Sequence, residues 1–215
     1  MIVFGFGNKA RQGKDTAAAA IIDYCKEFHE PAHRIAFADA LRCEVTEAIR
    51  KVGSGEVELL LAKGPEPGVE FPSWVVPTEN PDMTDPLLPY GKHNKLLQWW
   101  GTDYRRVQDP DYWVKQWLTK VKALPESAIV FAPDTRFINE ALAVASLGGY
   151  TVNVSRLNED GSPYFSSDRP RNHQSEIELD GWDWDFRIVA KSGQVELVNS
   201  MALAVFRYVL WYGKD

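Results

Sequence analysis

The chain's first sixteen residues restrict its fold more than any other stretch. A short apolar run, residues 2–6, ends in glycine. It leads through Gly7-Asn8-Lys9-Ala10-Arg11-Gln12-Gly13-Lys14-Asp15-Thr16 into a segment where Ala17, Ile21, Cys25 and Phe28 recur at helical spacing. This reads as a buried strand, a tight turn and a helix over 14–28 in direct succession, with alanine, the best helix former, filling the first turns. The alternation returns along the chain. Apolar strands are predicted at 34–38, 128–132, 150–155 and 186–190, and helices at 95–107, 111–124, 139–147 and 195–211, with a further apolar helical face behind Asp39. Strands alternating with helices read as an α/β fold with a mainly parallel, five-stranded sheet. Ligands of such sheets bind at the C-terminal ends of the strands. The chemically loaded segments 7–16, 39–42, 134–140 and 156–176 all follow predicted strands.

Segment 7–16 carries the parts of a phosphate-binding loop: a strand, a turn that exposes backbone amides, a lysine and a helix N-terminus. Gly13 lets the backbone approach a phosphate, and Lys14, expected to be partly exposed beside the ligand, supplies positive charge to the β/γ-phosphates. Asn8, Lys9, Ala10, Arg11, Asp15 and Thr16 complete the candidate nucleotide site. The segment departs from G-x-x-x-x-G-K-[ST] twice. Asn8 stands at the first glycine position, a mild departure because asparagine tolerates left-handed backbone. Asp15 follows the lysine and delays the hydroxyl to Thr16, which leaves open which residue after Lys14 touches magnesium.

Phosphoryl transfer also needs cations around the transferring group and carboxylates that order metal-bound water or accept a proton. Arg136 directly follows a buried strand and stands beside Asp134, and both read as catalytic candidates with Lys14 and Asp39. The alternative for Asp39 is a simple helix cap. Arg169 and Arg171 read evenly as functional or as surface residues. Trp99, Trp100, Tyr104 and Trp113 lie at helical spacing, which favours a core over base stacking. Trp99, Trp100 and Val107 are expected to face inward, and one of Arg105 and Arg106 to project to solvent or to an acid such as Asp103 or Asp109. His173 has no histidine or cysteine near it, so a metal site there is not expected.

Composition narrows the class. Hydrophobic residues make up 45% and charged residues 25%, values of a soluble globular chain that exclude disordered, collagen-like and membrane-spanning classes. The acidic balance, 24 basic against 30 acidic residues, argues against a polynucleotide partner. Two cysteines form no framework, so a reducing cytoplasm is the expected setting, and no leader or membrane anchor is expected. Seven of the thirteen prolines fall in residues 64–91, which read as a surface excursion rather than long helices or central strands.

Five stretches carry a resemblance: Asn8 to Thr16, Phe37-Ala-Asp-Ala-Leu41, Leu97-Gln-Trp-Trp-Gly-Thr-Asp-Tyr-Arg-Arg106 with Asp111-Tyr-Trp113, Asp134-Thr-Arg-Phe-Ile-Asn-Glu-Ala141, and His173-Gln-Ser-Glu176. Together, in this order, they resemble the phage deoxynucleoside monophosphate kinases, a branch of the P-loop nucleoside and nucleotide kinases. Asn8 stands where that family commonly has glycine, and 64–91 has no counterpart that can be placed. The resemblance implies a three-layer P-loop kinase-like single domain over 1–215. Within it lie an acceptor-binding helical region about 55–125 and a lid about 156–176. It implies transfer of the ATP γ-phosphate to a deoxynucleoside 5′-monophosphate, with Mg²⁺, for viral DNA precursor supply in a host cytoplasm. Gly13, Lys14 and Thr16 would bind ATP phosphates. Asp39 and Arg42 would face the acceptor phosphate or magnesium. Trp100, Thr102, Arg106 and Glu140 would join the acceptor site, and Asp134 and Arg136 would sit between the two phosphates. Thr16 and Asp134 are the candidate metal contacts. No membrane partner is expected, and the reading leaves room for a homodimer. Two rivals keep the nucleotide loop: a kinase of hydroxymethylated bases within DNA, and a nucleotide-binding regulator without catalysis.

Overall fold

β1 (Ile2–Gly7) is buried from Val3 onward, so both of its faces need cover. Side chains alternate across a strand, and β1 uses the alternation unequally. Phe4 and Phe6 project to one face, and small residues fill much of the other. In a computed structural model, which describes residues 1–51, 94–166 and 171–213, the phenylalanines enter a core with Ile21 of α1 (Lys14–Glu27), Phe131 of β3 (Ile129–Thr135) and Phe206 of α7 (Val195–Tyr212). The Phe4 and Phe131 rings stack with centroids 5.4 Å apart. On the opposite face, a Cβ at Gly5 would lie 2.9 Å from Val144 of α5 (Ile138–Ser146), and one at Gly7 would lie 2.0 Å from Trp184. Glycine at these positions lets the helix and the tryptophan close onto the sheet. Helices therefore cover both faces, as a parallel sheet requires.

The sheet has five strands in the order β2-β3-β1-β4-β5, with β2 at Ala32–Arg34, β4 at Tyr150–Leu157 and β5 at Phe186–Lys191. All pairings are parallel. Strand order reverses beside β1: β3 lies on one side and β4 on the other. The loops after β1 and β4 thus leave the sheet at its switch point, where a crevice forms.

The chain divides into two compact units: Met1–Phe37 with Trp117–Asp215, and Ala38–Gln116. The second contains α2 (Ala38–Lys51), α3 (Asn94–Gln98), a π-helical stretch Trp99–Arg106 and the start of α4 (Tyr112–Lys122). The proline-rich residues 64–91, residues 55–93 of the expected acceptor region and residues 167–170 of the expected lid lie outside the described residues. Among the described residues, no helix is long and apolar enough to cross a membrane.

Three elements differ from the sequence expectation. The strand expected at 34–38 occupies Ala32–Arg34 instead. Ile35 still donates to Phe131 O, but the Phe37 amide turns to the Asp134 carboxylate, so buried Ala36 and Phe37 are loop rather than strand. The helix expected over 95–107 widens into π geometry at Trp99. Residues five apart then share a bearing: the Trp99 and Tyr104 rings stack at 5.2 Å, and Val107, expected to face inward, is 76% exposed. Finally, the loop expected over 158–172 is followed by a short helix, α6 (Gln174–Ile177), capped by His173, whose Nδ1 accepts the Ser175 amide.

Candidate functional site

The 8–13 loop joins β1 to α1 through three left-handed residues: Asn8 (φ 122°), Arg11 (φ 54°) and Gly13 (φ 97°). Only Gly13 adopts such backbone without steric cost. Asn8 holds its conformation by side-chain bonds. Its amide nitrogen donates to Val154 O (3.0 Å), Ser155 Oγ (2.8 Å) and Asn153 Oδ1 (3.4 Å), and its oxygen accepts the Lys9 amide at 2.8 Å. The asparagine thus fastens the loop to the end of β4, a task glycine has no side chain to perform. Gln12 makes a second fastening: its oxygen accepts the Arg156 amide at 2.6 Å and its nitrogen donates to Tyr164 O at 2.9 Å.

Lys14, expected to be partly exposed, is 4% exposed. Its ammonium curls back onto the loop, donating to Asn8 O at 3.0 Å and to Lys9 O. α1 begins here. Its first backbone bond is Ala17 N–H to Gly13 O at 2.9 Å, and the N-cap, Gly13, has no side chain with which to cap. First-turn amides of an α-helix have no acceptor within the helix and carry the positive end of its dipole.

In front of this terminus lies a cleft of about 460 Å³. Among the described residues, Arg11, Lys14, Arg136, Arg156 and Lys191 line it, against a single carboxylate, Asp15. Thr16 also lines it, and its far wall is the β5–α7 turn with Ala190, Val195 and Val198. Arg156 stacks its guanidinium 4.1 Å over the Tyr164 ring and donates to Ser192 Oγ at 2.9 Å. A helix N-terminus ringed by cations in a concave site favours an anion, and the volume is that of a small-molecule pocket.

The other expected residues of this unit stand near the end of β3. Asp134 Oδ1 accepts the Phe37 amide at 2.9 Å. Glu140, 3% exposed, accepts the amides of Arg136 (2.7 Å) and Phe137 (3.2 Å), so its carboxylate holds the start of α5. Arg136 donates from Nη1 to Glu176 Oε1 at 2.7 Å. Glu176 was not among the expected site residues. Its other oxygen accepts the Ala10 amide at 2.8 Å, and its carbonyl accepts Lys9 Nζ at 2.5 Å, while Lys9 also pairs with Asp180. The structure therefore joins the 8–13 loop to Arg136 through an acid. Gln12 and the β5–α7 turn were likewise not expected. The one signal for the turn was its place after a strand end.

The remaining expected residues belong to the second unit. Asp39 lies in the first turn of α2, with Arg42 one turn on and their charged groups 3.8 Å apart. Trp100 is 2% exposed and donates its indole N–H to Glu44 at 2.8 Å, a core position. Glu44 also accepts from Arg105 Nε (2.6 Å) and the Tyr112 hydroxyl (2.9 Å). Burial works against the Arg105 charge, but the bond to Glu44 and the charge of that carboxylate outweigh it and raise the guanidinium pKa. Thr102 and Arg106 are half-buried, and Arg106 Nη1 donates to Pro110 O at 3.2 Å. Cys25 offers no nucleophile, since burial, with the charge of Glu30, pushes its thiol up to about 11.

Mg²⁺ takes hard oxygen donors, often one or two protein oxygens plus substrate phosphates. The Thr16 hydroxyl and the Asp15 carboxylate on the cleft wall, with Asp134 at the end of β3, are donors of that kind. No protein-family model matches this chain, and no curated protein does.

Proposed function

We propose that this chain transfers the γ-phosphate of ATP to a deoxynucleoside 5′-monophosphate, forming ADP and the deoxynucleoside diphosphate. The observation that carries the reading is the cleft at the N-terminus of α1, with Arg11, Lys14, Arg136, Arg156 and Lys191 on its walls. On this reading the phosphates of ATP lie against the 8–13 loop of a P-loop kinase fold. Lys14 leaves the carbonyls of Asn8 and Lys9 to meet them. The nucleoside extends toward Ala190, Val195 and Val198. The acceptor oxygen attacks the γ-phosphorus in line, the bond to the β,γ-bridging oxygen breaks, and the acceptor phosphate keeps the new P–O bond. Little covalent chemistry falls to the protein, which positions the two nucleotides and stabilises charge on the equatorial oxygens. Arg136 supplies such charge, and Asp134 orders the reacting groups. Thr16 or Asp15, with Asp134, would hold Mg²⁺, which would supply positive charge against the phosphate oxygens.

The acceptor is assigned through the resemblance to the phage deoxynucleoside monophosphate kinases. Asp39, Arg42, Thr102 and Arg106 are the residues proposed to hold it. Incubating the protein with ATP labelled at the γ-phosphate and each deoxynucleoside monophosphate, each ribonucleoside monophosphate or duplex DNA tests the reading. Label should appear in a deoxynucleoside diphosphate, with kcat/KM for dGMP above that for GMP. Label in DNA assigns a different acceptor, equal use of dGMP and GMP makes the chain a general nucleotide kinase, and no transfer to any acceptor rejects the proposal.

A further inference from the structure

Glu176 is a buried carboxylate whose side chain bonds to Ala10 and Arg136, both far from it in sequence. It is 8% exposed on a four-residue helix, and burying a carboxylate is costly unless its oxygens are bonded. Both are, to segments distant in sequence: Oε2 accepts the amide of Ala10, and Oε1 accepts Nη1 of Arg136. The Glu176 carbonyl holds Lys9 as well. Arg136 is fixed from its other end, where Glu140 accepts its backbone amide. Arg136 lines both the cleft and a small recess shared with Asn8, Lys9 and Glu176. A guanidinium has five N–H donors, and the bond to Glu176 uses one.

We propose that Glu176 is a positioning residue that sets the direction of the Arg136 guanidinium by tying it to the 8–13 loop, the segment against which the phosphates lie. This rests on the phosphoryl-transfer reading above. The loop has clamps of its own in Asn8, Gln12 and Lys14. Loss of Glu176 therefore falls chiefly on Arg136 rather than on the loop. The consequence is a turnover defect with ATP binding retained. Glutamine keeps the shape but carries one acceptor oxygen and one NH₂ group, so it can serve Arg136 or Ala10 and not both. Activity should rank Glu above Gln above Ala.

The test is a double-mutant cycle with Glu176→Ala, Arg136→Ala and the double variant, plus Glu176→Gln as the near-isosteric control, each checked for folding by thermal melting. Glu176→Ala should lower kcat about 10- to 100-fold, the scale of a misplaced catalytic group, while the KM for ATP changes little. The double variant should be no slower than Arg136→Ala alone, within about twofold, because contacting residues that act as a unit are not additive. If Glu176→Ala does not fold, Glu176→Gln combined with Arg136→Ala carries the same cycle. Full turnover in the Glu176 variants, additive losses, or a raised ATP KM with unchanged kcat would overturn the proposal while leaving the kinase reading standing. A wild-type protein that transfers no phosphate would overturn both.

Discussion

Each unit of the molecule holds an arginine–glutamate pair of nearly the same length, Arg136–Glu176 at 2.7 Å and Arg105–Glu44 at 2.6 Å. Their surroundings differ. Glu44 is the common acceptor for Trp100, Arg105 and Tyr112, and Arg105 lies over two rings, 4.8 Å from Tyr104 and 5.2 Å from Tyr112. That pair packs among aromatic side chains and is the more exposed of the two, its side chains 19% and 22% exposed against 17% and 7% for those of Arg136 and Glu176. Arg136 lines an open cleft beside a helix N-terminus, and its glutamate reaches the backbone of the 8–13 loop. The contrast shows that distance does not reveal what an ion pair does. The Arg105 pair lies among aromatic partners, whereas the Arg136 pair stands at a cation-lined cleft, which on the proposed reading is where it would serve binding.

The largest expected effect lies on the cleft side. Lys14→Ala should lower kcat by roughly 10²–10³-fold, the scale for removing one transition-state charge stabiliser. Because Lys14 also bonds two loop carbonyls, the melting temperature should drop too, by the equivalent of about 1 kcal/mol. Steady-state kinetics showing near-normal turnover would remove the cleft from the chemistry altogether.

Neighbouring arginines sharpen the comparison inside the second unit. Arg106→Ala should raise the acceptor KM tenfold to a hundredfold, roughly the effect of losing a charge-assisted phosphate contact, with the ATP KM nearly unchanged. Lysine at 106 should rescue only in part, lacking the planar fork. The sequence offered solvent, or an acid such as Asp103 or Asp109, to the arginine facing away from the acceptor; the structure pairs Arg105 with Glu44 and Asp109 with Lys115. Arg105→Ala should accordingly act on the melting temperature rather than on acceptor KM. An acceptor-specific defect in Arg105→Ala would reverse the two roles.

Glu44→Ala tests the Arg105–Glu44 pair directly. It removes the acceptor of an indole, a phenol and a guanidinium at once, and at the partial exposure of the pair the loss should be about 2 kcal/mol, or roughly 4–8 °C in a chain of this size. A melting curve indistinguishable from wild type would show that the cluster stands without its carboxylate. The smallest effect belongs to the exposed Asp109–Lys115 pair. The Lys115 hydrogen bond lowers the Asp109 pKa, so its contribution is present above the unfolded carboxylate value and disappears as pH falls through the lowered folded one. Any stability gap between wild type and Asp109→Asn should close as acid titration crosses that window. A gap that persists below it would have another source.

The strand, loop and helix of residues 2–28 were legible because each carries a local signal: an apolar run, glycine at Gly13 and helical spacing behind it. Even the departure at Asn8 has a reason within the fold, since its amide grips β4. Elsewhere, local signals pointed the wrong way. Ala36 and Phe37 are apolar because they are buried, not because they pair in a sheet, and the Asp134 carboxylate that captures the Phe37 amide lies 97 residues away. The π-helical widening at Trp99–Arg106 leaves no mark in the apolar period, so Val107 was placed on the wrong bearing. Glu176 lay within a quoted stretch, yet nothing local assigned it a role. Its partners Ala10 and Arg136 are 166 and 40 residues distant.

The central claim is that the phosphates of a nucleoside triphosphate lie in the cation-lined cleft at the start of α1. It is tested most directly by following backbone amide resonances of the isotope-labelled protein as magnesium and a non-hydrolysable ATP analogue are added. The account expects the largest shifts at Ala10, Gly13, Lys14, Asp15 and Thr16, with a second group at Lys191–Val195, and their loss in Lys14→Ala. Shifts centred instead on the Trp99–Arg106 stretch, or none at saturating analogue, would contradict it.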